Sequence, residues 1–202
     1  IFTLVNAEQN EKLLSRVPHK NVEDLVVIYK VMLENSENGD GISTITINND
    51  HISYWGVDTE QLHSLALENT KRLLPVTIRS MNEVMREMFA KEGKPEDFVD
   101  AMFPEEPADK TLWVISNKTM MNGASAILDT DVLDGLVEKV GGDIYILPSS
   151  IHEVIAVSTK MSKLDELKQM VQEVNTNNVE PEIRLSDNVY FYSKEDGFRV
   201  AG

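Results

Sequence analysis

Asp143-Ile144-Tyr145-Ile146-Leu147-Pro148-Ser149-Ser150-Ile151-His152-Glu153-Val154-Ile155-Ala156-Val157-Ser158 decides the fold. Two short runs rich in Ile, Val and Tyr flank a polar break that opens on Pro148. Such residues suit a pleated, buried surface, while Pro cannot donate to a strand ladder. Asp143–Leu147 and Val154–Ser158 therefore read as strands around Pro148-Ser149-Ser150, most simply a hairpin, which makes them antiparallel. Helical periodicity stands on both sides. Val132, Leu133, Leu136, Val137 and Val140 line one helix face, and Gly141-Gly142 ends it. Leu164, Leu167, Val171 and Val174 mark a last long helix, and Val189–Ser193 a closing strand. Strands that occur both as hairpins and beside helices define an α+β fold: a mixed or largely antiparallel sheet with amphipathic helices packed against it.

The same reading extends towards the first residue. Ile1–Val5 has strand composition, Ala7–Leu14 is a short helical stretch, and Val17-Pro18-His19 breaks it. Leu25–Leu33 reads as a strand, Asn35–Gly41 as a turn, and Ile42–Ile47 as the second arm of a hairpin. A short helix covers Asp50–Trp55. Asp58 followed by Gln61 is a capping-box pattern, and Leu62, Leu65, Ala66, Asn69 and Leu73 recur at helical spacing behind it. Pro75 ends that helix, Val76–Ile78 is extended, and Met81, Val84, Met85, Met88 and Phe89 mark a further amphipathic helix. Residues 92–110 change character, with Pro95, Pro104 and Pro107 among seven acidic side chains. They form a surface excursion pinned by Phe98, Val99, Met102 and Phe103. Leu112–Ser116 is a strand, and Gly123–Leu128 is a small-residue segment of undecided state. Ile45–Asn49 leading to Asp58-Thr59, and Val114–Asn117 leading to Asp129-Thr130, make a faint internal echo. The whole of 1–202 reads as one domain. A chain that opens on Ile1, already in strand composition, reads as the C-terminal part of a longer protein.

Charge narrows the partners. Nineteen Lys and Arg stand against 34 Asp and Glu, a formal net charge of −15 in 202 residues. Nucleic-acid affinity comes largely from cations that displace counterions, and anionic lipid headgroups demand the same sign. Neither nucleic acid nor membrane is the expected partner; a basic protein, a metal ion or a neutral small molecule stays open. The longest apolar run, about Leu25–Tyr29, falls far short of the roughly 20 residues of a membrane helix. With no cysteine, disulfides, thiolate metal sites and cysteine nucleophiles are excluded together, and a reducing compartment suits the chain. The expected location is the cytoplasm.

Chemistry-bearing residues converge on one stretch. Ser149, Ser150, His152 and Glu153 supply the hydroxyl, imidazole and carboxylate of a nucleophile–base–orienter system. On a strand, however, Ser150 and His152 share a face while Glu153 points to the other, so the orienting acid would come from elsewhere, with Asp187 the candidate. Other patterns fail where their chemistry is strictest. His152-Glu153-Val154-Ile155-Ala156 lacks the second His of a zinc-protease helix. Gly123-Ala124-Ser125-Ala126-Ile127 puts a bulky residue where a nucleophile elbow needs glycine. Ser36, Asn38 and Asp40 have the early spacing of a calcium loop, but Ile47 takes the place of its bidentate Glu. His19, His51, His63 and His152 have no ligand spacing, and no phosphate-binding glycine loop exists. No cofactor or metal is expected. The leading expectation is a non-enzymatic binding or protein-interaction domain; the alternative is a hydrolase-like enzyme using Ser149 or Ser150 with His152.

Several stretches carry a resemblance: Val17-Pro18-His19 through Leu25, Trp55-Gly56 with Leu62-His63 and Ala66, Ser116-Asn117-Lys118, and Gly123-Ala124. Ile146–Glu153, Val174-Asn175 and Leu185-Ser186-Asp187 complete them, Ile146–Glu153 being the most specific. In these the chain resembles a family of bacterial proteins, common in gut-dwelling Gram-positive anaerobes, described as a domain of unknown function. The resemblance implies a bacterial, cytoplasmic domain and assigns a role to no residue.

Overall fold

A computed structural model of the chain describes residues 1–33, 43–148 and 150–202. The expected turn at Asn35–Gly41, with the calcium-loop positions Ser36, Asn38 and Asp40, lies outside the described residues, as does Ser149.

The first sheet is built on β3 (Leu25–Leu33), nine residues long. On one edge it pairs antiparallel with β1 (Phe2–Asn6), and it also pairs antiparallel with β2 (His19–Val22) and β4 (Ser43–Thr46). Leu25, Val27 and Tyr29 enter the main core with Phe2 and Leu4, whereas Val26 and Ile28 pack with Val17 on the other face. Both faces are covered, which is why this stretch is continuously apolar rather than alternating. β2 has a single apolar residue and three exposed ones, so it lacks the alternation that reveals a strand.

The second sheet has six strands: β5 (Val76–Ser80), β6 (Trp113–Asn117), β7 (Ile144–Leu147), β8 (Val154–Ser158), β9 (Tyr190–Ser193) and β10 (Gly197–Val200), in the order β10-β9-β7-β8-β6-β5. Every pairing is antiparallel, and the decisive hairpin is formed with Ile144 opposite Ser158 and Leu147 opposite Ile155. The molecule is α+β, with two antiparallel sheets. β10 was not foreseen; it returns from β9 through a turn in which Gly197 holds φ +72°.

Seven α-helices complete the description: α1 (Glu11–Leu14), α2 (Asn49–Trp55), α3 (Thr59–Leu73), α4 (Met81–Lys91), α5 (Glu96–Met102), α6 (Thr130–Val140) and α7 (Leu164–Asn178). The capping box of α3 is formed: Gln61 N–H donates to Asp58 at 2.8 Å and the Gln61 side chain accepts from Asp58 N–H at 3.0 Å. Asn48 with His51 caps α2, and Ser80 with Glu83 caps α4, in the same reciprocal way. Gly141 closes α6 at φ +72°. The echo at Asp129 is not matched in chemistry, because its carboxylate makes no cap bond and takes Lys71 Nζ at 3.0 Å instead. Gly123–Leu128 forms a buried 3-10 turn.

One main core runs between the sheets. Leu4 and Tyr29 of the first, Ile115, Ile144 and Ile146 of the second, and Leu133 and Leu136 of α6 belong to a single cluster. Period-two alternation sends Leu147 and Val157 to the opposite face, where Leu167 and Val171 of α7 cover them. The expected α7 stripe ends differently: Val174 is exposed and Asn175 is buried in its place. Residues 92–110 fold back as α5 on α4. Phe89 meets Phe103 edge-on at 5.2 Å, Arg86 pairs with Asp100 at 3.1 Å, and Val99 is the buried anchor. Phe98 and Met102, expected to help pin this segment, face solvent. Among the described residues no helix is long and apolar enough to cross a membrane.

Candidate functional site

Pro148–Glu153 links β7 to β8, and the Ser150 side chain bonds within the link itself. Ser150 is buried; its Oγ accepts from His152 N–H at 3.0 Å and donates towards Glu153 Oε1 at 3.4 Å. The His152 carbonyl accepts from Ser116 Oγ at 2.8 Å, and its Nδ1 lies 3.2 Å from the donating N–H of Asn122. That bond places the imidazole proton on Nε2 and occupies the lone pair of Nδ1. Gly123 completes the packing. A Cβ there would fall 2.5 Å from the His152 carbonyl oxygen and closer still to Ser116 Oγ, so only glycine fits. The Ser150 hydroxyl thus faces a carboxylate rather than the imidazole. Ser125 Oγ donates to Asn122 C=O at 3.0 Å, inside the 3-10 turn.

Asp187 belongs to a second network. Asn175, fully buried on α7, donates from Nδ2 to the Ser186 carbonyl and to Asp187 Oδ1, both at 2.7 Å. The Arg184 guanidinium donates to the carbonyls of Asn175 and Val179, groups that the end of α7 leaves without helical partners. Ser150, His152 and Glu153 are therefore brought together, with the Ser150 hydroxyl on Glu153 rather than on His152, and Asp187 is held apart by Asn175.

The other histidines have structural partners. His51 Nδ1 accepts from Asn48 N–H at 3.1 Å, and its ring stacks on Trp55 with centroids 5.6 Å apart. His19 Nδ1 lies 2.9 Å from the Val17 carbonyl. His63 Nδ1 lies 3.1 Å from Tyr29 OH; burial first and the Lys20 ammonium second hold its pKa below the usual value, against a smaller opposing pull from Glu60. Among the described residues no three His, Asp or Glu side chains converge as a metal site.

The feature that spacing alone did not announce is an apolar groove. It is bounded by β3 on one side and by α2 and α3 on the other, with a volume of about 480 Å³. Val31, Trp55 and Leu65 line it while remaining 38%, 47% and 55% exposed. Ile45 sits opposite Val31 across β3 and β4 and is 51% exposed, which extends the patch over the sheet. Its origin is visible in α3. The helix turns Leu62, Ala66 and Thr70 into the core, so Leu65, which the periodicity assigns to the same apolar stripe, is left over on the groove wall. An apolar stripe wider than the core requires is the sequence signal that could have found this site.

Two cations, Lys30 and Arg72, line the groove as well. None of the ion pairs among the described residues uses either. Among the described residues the Arg72 side chain donates to the Asn69 amide oxygen at 2.9 Å, and burial lowers the pKa of Lys30. In a chain of net charge −15, the groove sets beside its apolar walls two cations that form no ion pair among the described residues.

The chain belongs to DUF5688, described as a family of unknown function, whose model matches residues 1–194. No curated protein and no solved structure matches it.

Proposed function

For this member of DUF5688 we propose a non-enzymatic protein-interaction domain whose groove beside β3 receives an apolar, carboxylate-bearing segment of a partner protein. The observation that carries the reading is the set of half-exposed Val31, Trp55 and Leu65 around one concavity. Exposed apolar patches of this kind, rimmed by polar groups, mark docking surfaces. Covering the exposed part of each side chain contributes about 1 kcal/mol, so the three together fall short of the ~8 kcal/mol of a micromolar complex. Directional bonds must supply the remainder, and Lys30 and Arg72 favour a carboxylate as one source. The acidity of the rest of the surface does not oppose this strongly, since charges beyond about 8 Å are screened at physiological salt. The cysteine-free composition and the resemblance to proteins of gut-dwelling Gram-positive bacteria support a bacterial cytoplasmic setting.

The test uses two fluorescein-labelled peptides, Thr-Val-Glu-Val-Thr-Val-Glu-Val-Thr and its counterpart with Lys in place of Glu. By fluorescence anisotropy the Glu peptide binds the wild-type protein at least about fivefold more tightly than the Lys peptide. Val31→Asp weakens it by about tenfold or more, as expected for truncating a central apolar contact and adding a repelling charge. Equal binding of the two peptides, or an unchanged affinity in Val31→Asp, would count against the proposal.

A further inference from the structure

We infer that the excursion between β5 and β6 is a second interaction surface, on which α5 receives a basic amphipathic helix of a partner protein. It shares no lining residue with the groove and does not depend on it. β5 and β6 pair antiparallel with Ser80 opposite Trp113, and Met81 N–H donates to the Leu112 carbonyl at 2.8 Å. The chain therefore leaves the sheet and returns to it at one point, where a turn of roughly two to five residues suffices to join two strands. Residues 81–112 stand there instead, with α4 and α5 among them. The core does not require them. Between Met81 and Lys110 only Val99 is buried, and it belongs to none of the core clusters. Even so, the excursion is held in place by side chains around its root. Asn82 Nδ2 donates to the Pro104 carbonyl and Arg86 Nε to that of Phe103, both at 2.7 Å, and Trp113 Nε1 donates to that of Ala108 at 3.0 Å. An ordered excursion of this length, outside the core of a compact domain, is where binding residues concentrate.

The chemistry of the surface states what fits it. Asp100 and Phe103 of the excursion meet Arg86 and Phe89 of α4, whereas Phe98 and Met102, one helical turn apart, remain 48% and 51% exposed. α5 thus carries an apolar stripe wider than α4 covers. Glu92, Glu96, Asp97, Glu105 and Glu106 are exposed around it, and none of the ion pairs among the described residues uses them. Across residues 92–110 the seven acidic side chains face only Lys94 and Lys110. An apolar stripe in a field of unpaired carboxylates is complementary to a helix with one apolar face flanked by Lys or Arg. A helix rather than a strand fits, because α5 offers side chains at i and i+4 spacing and satisfies its own main chain. α7 supplies the contrast: Met170 and Val174 are exposed at the same spacing, but Lys163 and Lys168 stand among Asp165, Glu166 and Glu173, so no single sign of charge is called for.

The probe is a fluorescein-labelled peptide of two Leu-Lys-Lys-Leu-Leu-Lys-Lys repeats, whose leucines recur at helical spacing, titrated by anisotropy at physiological salt. Its reference is a peptide of the same composition rearranged to have no apolar helix face. Wild type binds the first at least about fivefold more tightly than the second. Phe98→Ser combined with Met102→Ser weakens that binding by about tenfold or more. Combining Glu96→Gln, Asp97→Asn, Glu105→Gln and Glu106→Gln weakens it by about fivefold or more and flattens its dependence on salt. Met170→Ser combined with Val174→Ser on α7, and Val31→Asp in the groove, each stay within about twofold of wild type. Circular dichroism melting of each variant checks that the fold is kept. Equal binding of the two peptides, or an equal loss in the α7 variant, would reduce the effect to attraction by a chain of net charge −15 and overturn the inference. A loss confined to Val31→Asp would place the helix in the groove and overturn it too, leaving groove docking intact. Absence of binding to the wild type overturns it as well, without bearing on the groove.

Discussion

His63 shows how one side chain couples burial, hydrogen bonding and pH. Its imidazole packs against Phe2 and Tyr29 and shares a hydrogen bond with Tyr29 OH, in a site where burial and Lys20 disfavour the charged ring. A base whose folded pKa lies below its unfolded value binds fewer protons when folded. Its stabilising contribution is complete above an unfolded pKa of about 6.5 and is lost as pH falls through the lower folded value. Urea midpoints are therefore expected to drop between pH 7.5 and pH 5, and His63→Gln to flatten that drop. A slope identical in the variant would assign the acid sensitivity elsewhere. The surroundings of His152 are fixed in the same residue-by-residue way. Its Nδ1 accepts from the main chain of Asn122, and the Ser150 hydroxyl is directed to Glu153.

The α4–α5 pair makes its own prediction at the level of elements. α5 buries only Val99 and otherwise holds to α4 through Phe103 and the Arg86–Asp100 pair, so it is a weakly anchored unit. Val99→Ala is expected to cost about 1–2 kcal/mol locally and to speed hydrogen exchange across Glu96–Met102 while leaving β7 and β8 protected. Uniform acceleration throughout the chain would show instead that α5 belongs to the global cooperative unit. Elements with a strong local signal were legible from sequence. The hairpin around Pro148, the capping box at Asp58 and the C-cap at Gly141 depend on turn and cap chemistry that operates over a few residues. The apolar run at Leu25–Tyr29 was legible because both faces are buried. β2 and β10 were not, since an edge strand with exposed side chains is defined by its partner rather than by its own pattern. Asn175 displaced Val174 from the buried face of α7 for a tertiary reason, the amide bonds to Ser186 and Asp187. The Ser150–Glu153 cluster was visible as residue types; only the fold decides which hydroxyl faces which acceptor. The groove left a trace in the surplus Leu65, but Val31, Trp55 and Met32 enter it through pairing that sequence spacing does not encode.

At the scale of the molecule, the two sheets share one core and are tied by a single carboxylate. Asp24, in the turn between β2 and β3, accepts from Ser186 Oγ at 2.5 Å, Tyr190 OH at 2.8 Å and Asn188 Nδ2 at 3.0 Å. Burial and the neighbouring carboxylate keep Tyr190 protonated well above its ordinary range, so it remains a donor. Asp24→Ala leaves those donors without their common acceptor and is expected to lower stability by about 2–3 kcal/mol, read from the urea midpoint with unchanged slope. A change below ~0.5 kcal/mol would mean that water replaces the carboxylate. Holding the sheets in this relation also fixes β3 opposite α3, and with it the walls of the groove. The central claim is that this groove, rather than the Ser150–Glu153 turn, is where the protein meets its partner. Amide and indole chemical-shift mapping of the ¹⁵N-labelled protein during titration with the Glu peptide tests it most directly. Shifts concentrated at Val31, Met32, Trp55 and Leu65 are the predicted result; shifts centred on Ser150 and His152, or spread without focus over the surface, would contradict it.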